Sequence, residues 1–348
     1  MRKRESGLDL LRCLGLLLVV IFHFFLFNGY ATVKQWSISM WLAGCCRCFS
    51  LACNGLFLML TGYLKSERTD LRSCYRGLAT VLIGYFLAAA VSIPLRHFVL
   101  GEVQPLKTWA ARFLNFSGVY YGWYVKMYLG LILLSPFVNM TLKHLQDKRL
   151  LFALAAVLLL LTAVPGMTPW IIVPEYWRAF YPLTYYVLGG ILRRLQPKVR
   201  PWLAMGGAIA MAVLMGTVTA LSQSTGIGPE LSWDFGDLWV VVIAVCLFVA
   251  LYRVKPPAAI SRVLAFGASG CYGGYLLSYL LDAGLYRQMP HWGNPEFFFW
   301  VILKITLPIF LISTLLGVLL QKITDALLIG FRSVVLHPAE GVKSGKEP

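Results

Sequence analysis

The chain has 348 residues, of which 59% are hydrophobic and only 13% are charged, and its mean hydropathy is +0.71. Soluble domains average about 45 to 50% apolar and about 25% charged residues, so this composition excludes a soluble enzyme, a disordered chain and a coiled coil. The formal net charge of +16 does not indicate a nucleic-acid partner, because the basic residues fall between apolar segments. We therefore predict an integral membrane protein whose main surroundings are the lipid bilayer.

About ten apolar segments approach the length of roughly 20 residues that a spanning helix needs. They lie at 8–29, 38–63, 76–98, 119–142, 150–165, 174–193, 202–221, 235–253, 263–284 and 297–321. An even number of spans places both termini on one side, and one alternate set of loops carries most of the 31 lysines and arginines. The positive-inside rule then predicts that both termini are cytoplasmic.

The predicted fold is therefore an all-α, polytopic membrane protein. A membrane domain covers residues 1–335, and a polar cytoplasmic tail follows at 336–348. Prolines at Pro165, Pro169 and Pro174 interrupt the apolar sequence. A re-entrant segment in this region is the alternative, and it would change the number of spans.

The first predicted helix carries the most informative polar residues. Arg12 and His23 are eleven positions apart, which is about three helical turns, so both lie on one face about 16 Å apart. Asp9 precedes Arg12 by three positions and can pair with it. A cytoplasmic arginine below a deep histidine suits an anionic cofactor, whose phosphates Arg12 would hold while a long arm reaches His23.

The imidazole of His23 offers a specific chemistry at that depth. It can accept a proton from an alcohol or attack an activated acyl group. The alternative is a histidine that only forms a hydrogen bond across a helix interface. Arg12 can likewise be no more than a cytoplasmic anchor.

Other basic and amide groups also have two interpretations each. Arg72 and Arg76 stand at i and i+4 where the third span starts, which favours either a two-pronged phosphate clamp or ordinary anchoring. Arg47 and Asn54 are seven positions apart and share a helix face. They predict an interior polar site or a structural pair.

Lys126 follows Trp123 and Tyr124 in the fourth span. Its side chain either faces an interior cavity or extends outward to the membrane surface. A cluster of cysteines lacks an accompanying histidine or acid, so we expect helix packing rather than a metal site; its members are Cys45, Cys46, Cys48 and Cys53. Four more charged residues stand near the predicted outer ends of helices: Arg178, Asp234, Asp237 and Asp282.

Several segments, in order along the chain, resemble motifs of the membrane acyltransferase-3 family. Its first-helix signature, a basic residue followed by ten others and then histidine, is similar to GLDLLRCLGLLLVVIFHF at 7–24. Its second-helix stretch is similar to NGLFLMLTGYL at 54–64, and its arginine pair to Arg72 and Arg76, which are separated here by three residues rather than two. Later segments also resemble the family: YYGWYVKMYLGLILLSPFVN, YYVLGGILRR and SGCYGGYLLS. Ser278 stands where many members have histidine.

The resemblance implies an enzyme of the bacterial plasma membrane that moves an acetyl group from cytoplasmic acetyl-CoA to a hydroxyl of an envelope polysaccharide or lipid-linked glycan. Acetyl-CoA would be a co-substrate, and no tightly bound cofactor or metal is expected. His23 would be the general base or a transient acyl carrier. Arg12, Arg72 and Arg76 would bind the CoA phosphates. The substrate cavity would be lined by Asp9, Arg47, Asn54, Trp123, Tyr124 and Lys126.

Two other functions are compatible with the same charges. An exporter of an envelope glycan precursor would also place polar groups around a midplane cavity. A non-catalytic sensor or partner-binding membrane domain would not require the chemistry of His23.

Overall fold

Helices make up the regular secondary structure of the chain. The computed structural model describes residues 4–30, 34, 36–165, 173–226, 234–286 and 298–336, and no strand occurs in these residues. The predicted all-α fold class is therefore confirmed. The α-helices of the described residues are α1 Ser6–Phe27, α2 Ile38–Ser50, α3 Ala52–Lys65, α4 Leu71–Cys74, α5 Leu78–Phe98, α6 Leu106–Leu114, α7 Trp123–His144, α8 Lys148–Thr162, α9 Tyr181–Leu195, α10 Pro201–Thr225, α11 Leu238–Leu251, α12 Ala258–Tyr286 and α13 Phe298–Leu336.

The described helices occupy all ten predicted span positions. Within the part of the chain that the structure describes, six helical segments are long and apolar enough to cross a membrane: Ser6–Phe27, Ile38–Lys65, Leu71–Phe98, Tyr120–His144, Pro201–Thr225 and Ile302–Gly330. α11 is apolar but shorter, with 14 residues. The chain thus has several candidate spans, whereas the number of about ten and the cytoplasmic termini remain predictions.

Helix α1 lies among five other helices, in contact with α2, α3, α11, α12 and α13. Its 22 residues contain a leucine- and valine-rich run without proline, and Asp9 lies in the first turn, where the helix dipole favours an acidic side chain. Leu11, Leu16 and Val20 are fully buried against the neighbouring helices. His23 is therefore surrounded by protein rather than by lipid.

Two helix pairs approach each other closely because glycines lie at their contacts. A methyl group on Gly62 of α3 would overlap the carbonyl of Tyr186 on α9, and one on Gly189 would overlap the carbonyl of Met59. α12 and α13 meet in the same way, at Gly317. Small residues let membrane helices pack at such short range, so each pair is fixed in its register.

Replacing Gly62 with alanine should destabilise the protein. We expect Gly62→Ala to lower the free energy of unfolding by about 1 to 3 kcal/mol, the usual cost of overpacking a well-packed contact. The melting temperature of the detergent-solubilised protein measures this loss. Gly130→Ala is the control, because among the described residues no atom beyond the helix's own nearby backbone lies within 4 Å of the added carbon and alanine has the better helix propensity. Equal melting temperatures of the two variants would contradict the close contact.

Candidate functional site

His23 is a residue of α1, and its side chain lies in the interior of the protein. It faces the short 3-10 turn Tyr120–Gly122 that precedes α7. Only 5% of the surface of His23 is exposed. The imidazole stacks on the ring of Tyr121, with 3.8 Å between ring centroids and an interplanar angle of 7°. This contact fixes the plane of the imidazole.

Asp282 of α12 completes a cluster with these two rings. Its carboxylate is fully buried, and its Oδ2 atom accepts a hydrogen bond of 2.7 Å from the hydroxyl of Tyr121. The same oxygen lies 3.5 Å from Nδ1 of His23. One carboxylate oxygen therefore faces both the tyrosine hydroxyl and a nitrogen of the histidine ring.

The arrangement of His23 and Asp282 matches the demands of acid–base or nucleophilic chemistry. A carboxylate beside one imidazole nitrogen orients the ring and stabilises the positive charge that forms when the other nitrogen takes up a proton. Burial strengthens this interaction, because water does not screen it. The cluster can therefore support either proton transfer or acyl transfer at His23.

A second polar cluster occupies the N-terminal end of α1. Asp9 is buried and accepts hydrogen bonds from Arg4, at 2.5 Å, and from Arg12, at 2.6 Å. The predicted pairing of Asp9 with Arg12 is thereby confirmed. The hydrogen bond to Asp9 also raises the pKa of Arg4 above its ordinary value, so Arg4 remains charged.

A cavity of about 550 Å³ lies beside Arg12, and most of its lining residues belong to α3, α7 and α12. Arg12 and Lys65 supply its basic groups, and several tyrosines and aliphatic side chains form much of its wall. The lining residues include Arg12, Asn54, Phe57, Leu60, Thr61, Leu64, Lys65, Val81, Tyr124, Val125, Tyr128, Cys271, Tyr272, Tyr275, Gln321 and Asp325. Such a space suits a long ligand chain with an anionic group at one end.

Tyr275 connects this cavity to the His23 cluster. Its ring lines the cavity, and its hydroxyl donates a 2.9 Å hydrogen bond to the backbone carbonyl of Tyr121. Tyr121 in turn stacks on His23. His23 itself does not line the cavity, so Tyr121 and Tyr275 stand between the two.

Part of the predicted substrate cavity comes together in the structure. Arg12, Asn54 and Tyr124 line the 550 Å³ cavity, and Asp9 and Arg12 line a smaller neighbouring one. Asn54 is buried, and its side-chain nitrogen has no hydrogen-bond partner in the described residues.

Three other predicted residues lie away from both cavities. Arg47 is on α2, with its guanidinium carbon 5.6 Å from the ring centroid of Tyr30. Trp123 is exposed and stacks on Phe235, and Lys126 is also exposed. The structure therefore does not join these side chains to Arg12, Asn54 and Tyr124.

The expected placement of Arg72 and Arg76 at i and i+4 of one helix is wrong, whereas their binding of phosphate stays a prediction. α4 ends at Cys74 and α5 begins at Leu78, and Gly77 between them has a left-handed backbone with φ +94°. The two arginines are therefore not on one continuous helix, and both are exposed. Arg76 is nevertheless near the large cavity, because Nζ of Lys65 lies 3.5 Å from its carbonyl oxygen.

The sequence pattern alone did not assign roles to Tyr121 and Asp282. A signal was present for Asp282, since a carboxylate within an apolar helix is costly and usually has a functional or structural partner. Arg178 pairs with Asp234 at 3.1 Å and with Asp237 at 3.2 Å. Of the three acids predicted near outer helix ends, Asp282 differs in that its side chain contacts Tyr121 and His23 rather than an arginine. Tyr121 had no comparable signal, because tyrosines are frequent throughout the chain.

The comparisons with known proteins identify one family. A family model described as an acyltransferase domain, that of the acyltransferase-3 family, matches residues 5–320. No curated protein and no solved structure matches the chain.

Proposed function

Because the chain belongs to the acyltransferase-3 family and is therefore an acyltransferase, we propose that it moves an acetyl group from cytoplasmic acetyl-CoA to a hydroxyl of an envelope polysaccharide or lipid-linked glycan. The family match and the apolar helices support a multi-pass membrane enzyme. The acetyl donor, the glycan acceptor and the bacterial plasma membrane are parts of the proposal. The buried cluster of His23, Tyr121 and Asp282 is the observation that carries it.

His23 can act in either of two ways. As a general base, its ring takes the proton of the acceptor hydroxyl while the hydroxyl oxygen attacks the thioester carbonyl, and the thiolate leaves and takes that proton back from the imidazolium. As an acyl carrier, a ring nitrogen attacks the carbonyl first and the thiolate leaves; the hydroxyl oxygen then attacks the acyl carbon, the bond to the ring nitrogen breaks, and the thiolate takes up the hydroxyl proton. In both routes the ring becomes positively charged. Asp282, 3.5 Å from Nδ1, would stabilise that charge.

The donor would enter from the N-terminal end of α1, which the positive-inside rule predicts to be cytoplasmic. Arg12 is the best-placed of the three proposed phosphate-binding arginines, because it lines the large cavity. Arg76, whose carbonyl oxygen lies 3.5 Å from Nζ of Lys65, and Arg72 would supply further positive charge to the donor phosphates. The apolar and tyrosine-rich wall would hold the long thioester arm. An exporter of a glycan precursor has no comparable support from the family match.

The role of His23 is tested by its replacement with alanine. We expect His23→Ala to lower acetyl transfer by about a hundredfold to ten-thousandfold, the usual contribution of a positioned acid–base group. Membranes that contain the protein are incubated with radiolabelled acetyl-CoA and the host glycan fraction, and incorporated label is measured. His97→Ala is the control, because His97 accepts a hydrogen bond from Trp109 at 3.3 Å and lies outside the cluster. Undiminished transfer by a well-expressed His23→Ala protein would refute the proposed chemistry.

The role of Asp282 is tested separately. We expect Asp282→Asn to lower the rate of transfer by about tenfold or more, because an amide neither fixes the imidazole tautomer nor stabilises its positive charge. Tyr121→Phe should have a smaller effect, since the ring still stacks on His23. Ser278→Ala is the matched control, because Ser278 is fully buried on α12 one turn before Asp282. A normal rate and pH profile for Asp282→Asn would show that the carboxylate does not assist His23.

A further inference from the structure

An ion pair between Arg96 and Glu102 is buried near the His23 cluster. Arg96 lies in the last turn of α5, and only 4% of its surface is exposed. Its Nε and Nη2 atoms donate hydrogen bonds of 3.0 and 2.6 Å to one carboxylate oxygen of Glu102. Burial strengthens such a pair because little water screens it, and burial also makes the loss of either partner costly. The pair therefore forms a rigid point at this end of α5.

The guanidinium of Arg96 also holds the backbone in front of the turn that carries Tyr121. Its Nη1 atom donates a hydrogen bond of 2.8 Å to the carbonyl oxygen of Gly118. The 3-10 turn Tyr120–Gly122 begins two residues later. Tyr121, within that turn, is the residue whose ring stacks on His23. Movement of the guanidinium would therefore displace the ring that fixes the plane of the imidazole.

The carboxylate of the same pair holds Tyr279 on α12. The Oε1 atom of Glu102 accepts a hydrogen bond of 2.7 Å from the hydroxyl of Tyr279. The ring of Tyr279 lies edge-on to that of Tyr121, with 5.6 Å between the ring centroids. Asp282 follows Tyr279 by three positions, so the two side chains are neighbours on one helix face. Both partners of His23 are thus connected to one ion pair, Tyr121 through the preceding backbone and Asp282 through α12.

We propose that the ion pair of Arg96 and Glu102 is a positioning device for the proposed reaction. It holds Tyr121 and Asp282 where they orient the imidazole of His23. This inference rests on the proposed function and deepens it by adding two residues that act through the neighbours of His23. The planar shape of the guanidinium matters as much as its charge, because Nε and Nη2 bind the carboxylate while Nη1 binds the backbone carbonyl. The single nitrogen of a lysine cannot occupy all of these positions.

The first test removes the planar fork and keeps the charge. We expect Arg96→Lys and Glu102→Gln each to lower the apparent kcat of acetyl transfer by about tenfold, the value of hydrogen bonds to a charged group. The KM for acetyl-CoA should stay within about twofold of the wild-type value, because neither residue lines the large cavity. Arg194→Gln is the matched control, since Arg194 also donates hydrogen bonds to backbone carbonyls, those of Leu142 and Leu145, away from the cluster. A wild-type kcat for both Arg96→Lys and Glu102→Gln would overturn the inference.

A double-variant cycle separates positioning from stability. When Asp282→Asn is already present, Arg96→Lys should lower kcat by no more than about twofold, since residues that act as one unit do not contribute additively. A role in stability alone predicts that the two losses multiply, and that result would overturn the inference. Melting temperatures of the detergent-solubilised variants identify any protein that is not folded. If Arg96→Lys is not folded, Glu102→Gln takes its place in the cycle.

A readout without catalysis keeps this inference separate from the proposed function. Diethyl pyrocarbonate modifies histidine rings, and mass spectrometry of peptides gives the rate of modification at each ring. We expect Arg96→Lys to raise the rate at His23 by about fivefold, the value of one lost hydrogen bond, and to leave the rate at the exposed His144 unchanged. An unchanged rate at His23 would overturn the positioning role even if the wild-type protein transfers acetyl groups. Failure of the wild-type protein to transfer acetyl groups would instead refute the proposed function.

Discussion

The buried carboxylate of Asp282 constrains the centre of the molecule. A charge within apolar helices has no water to solvate it, so neighbouring side chains have to stabilise it. Tyr121 donates a hydrogen bond to it, and a nitrogen of His23 lies beside it. These groups come from α12, from the turn before α7 and from α1. One charge therefore holds three distant parts of the chain in register and presents an oriented imidazole.

The sequence predicted the local features of this arrangement. The spacing of Asp9, Arg12 and His23 follows from the helical repeat, which depends only on neighbouring residues, and the pairing of Asp9 with Arg12 is present as expected. Apolar runs likewise marked the ten helical positions, because burial in lipid or protein demands them. The motif resemblance identified the family, which the match over 5–320 confirms.

Features that depend on packing between distant helices were not predictable in this way. Asp282 follows His23 by more than two hundred residues, and no periodic pattern connects them. Arg76 lies in the turn between α4 and α5 rather than on one helix with Arg72, and Gly77 in that turn has a left-handed backbone, which a spacing argument cannot detect. Trp123 and Lys126 are exposed because of how α7 is rotated against its neighbours, and that rotation is set by tertiary contacts.

Close glycine contacts hold α3 against α9 and α12 against α13. Of the helices that line the large cavity, α7 therefore has the most freedom to move. Helices whose backbones already touch cannot slide without overlap. α7 instead leaves many side chains exposed, and it contains Pro136, which removes a backbone hydrogen bond and permits bending. Tyr124 and Tyr128 lie on the N-terminal half of this helix, directly after Tyr121. Bending at Pro136 would therefore change the width of the large cavity, which Tyr124 and Tyr128 line, while the hydrogen bond from Tyr121 to Asp282 keeps the His23 cluster in place.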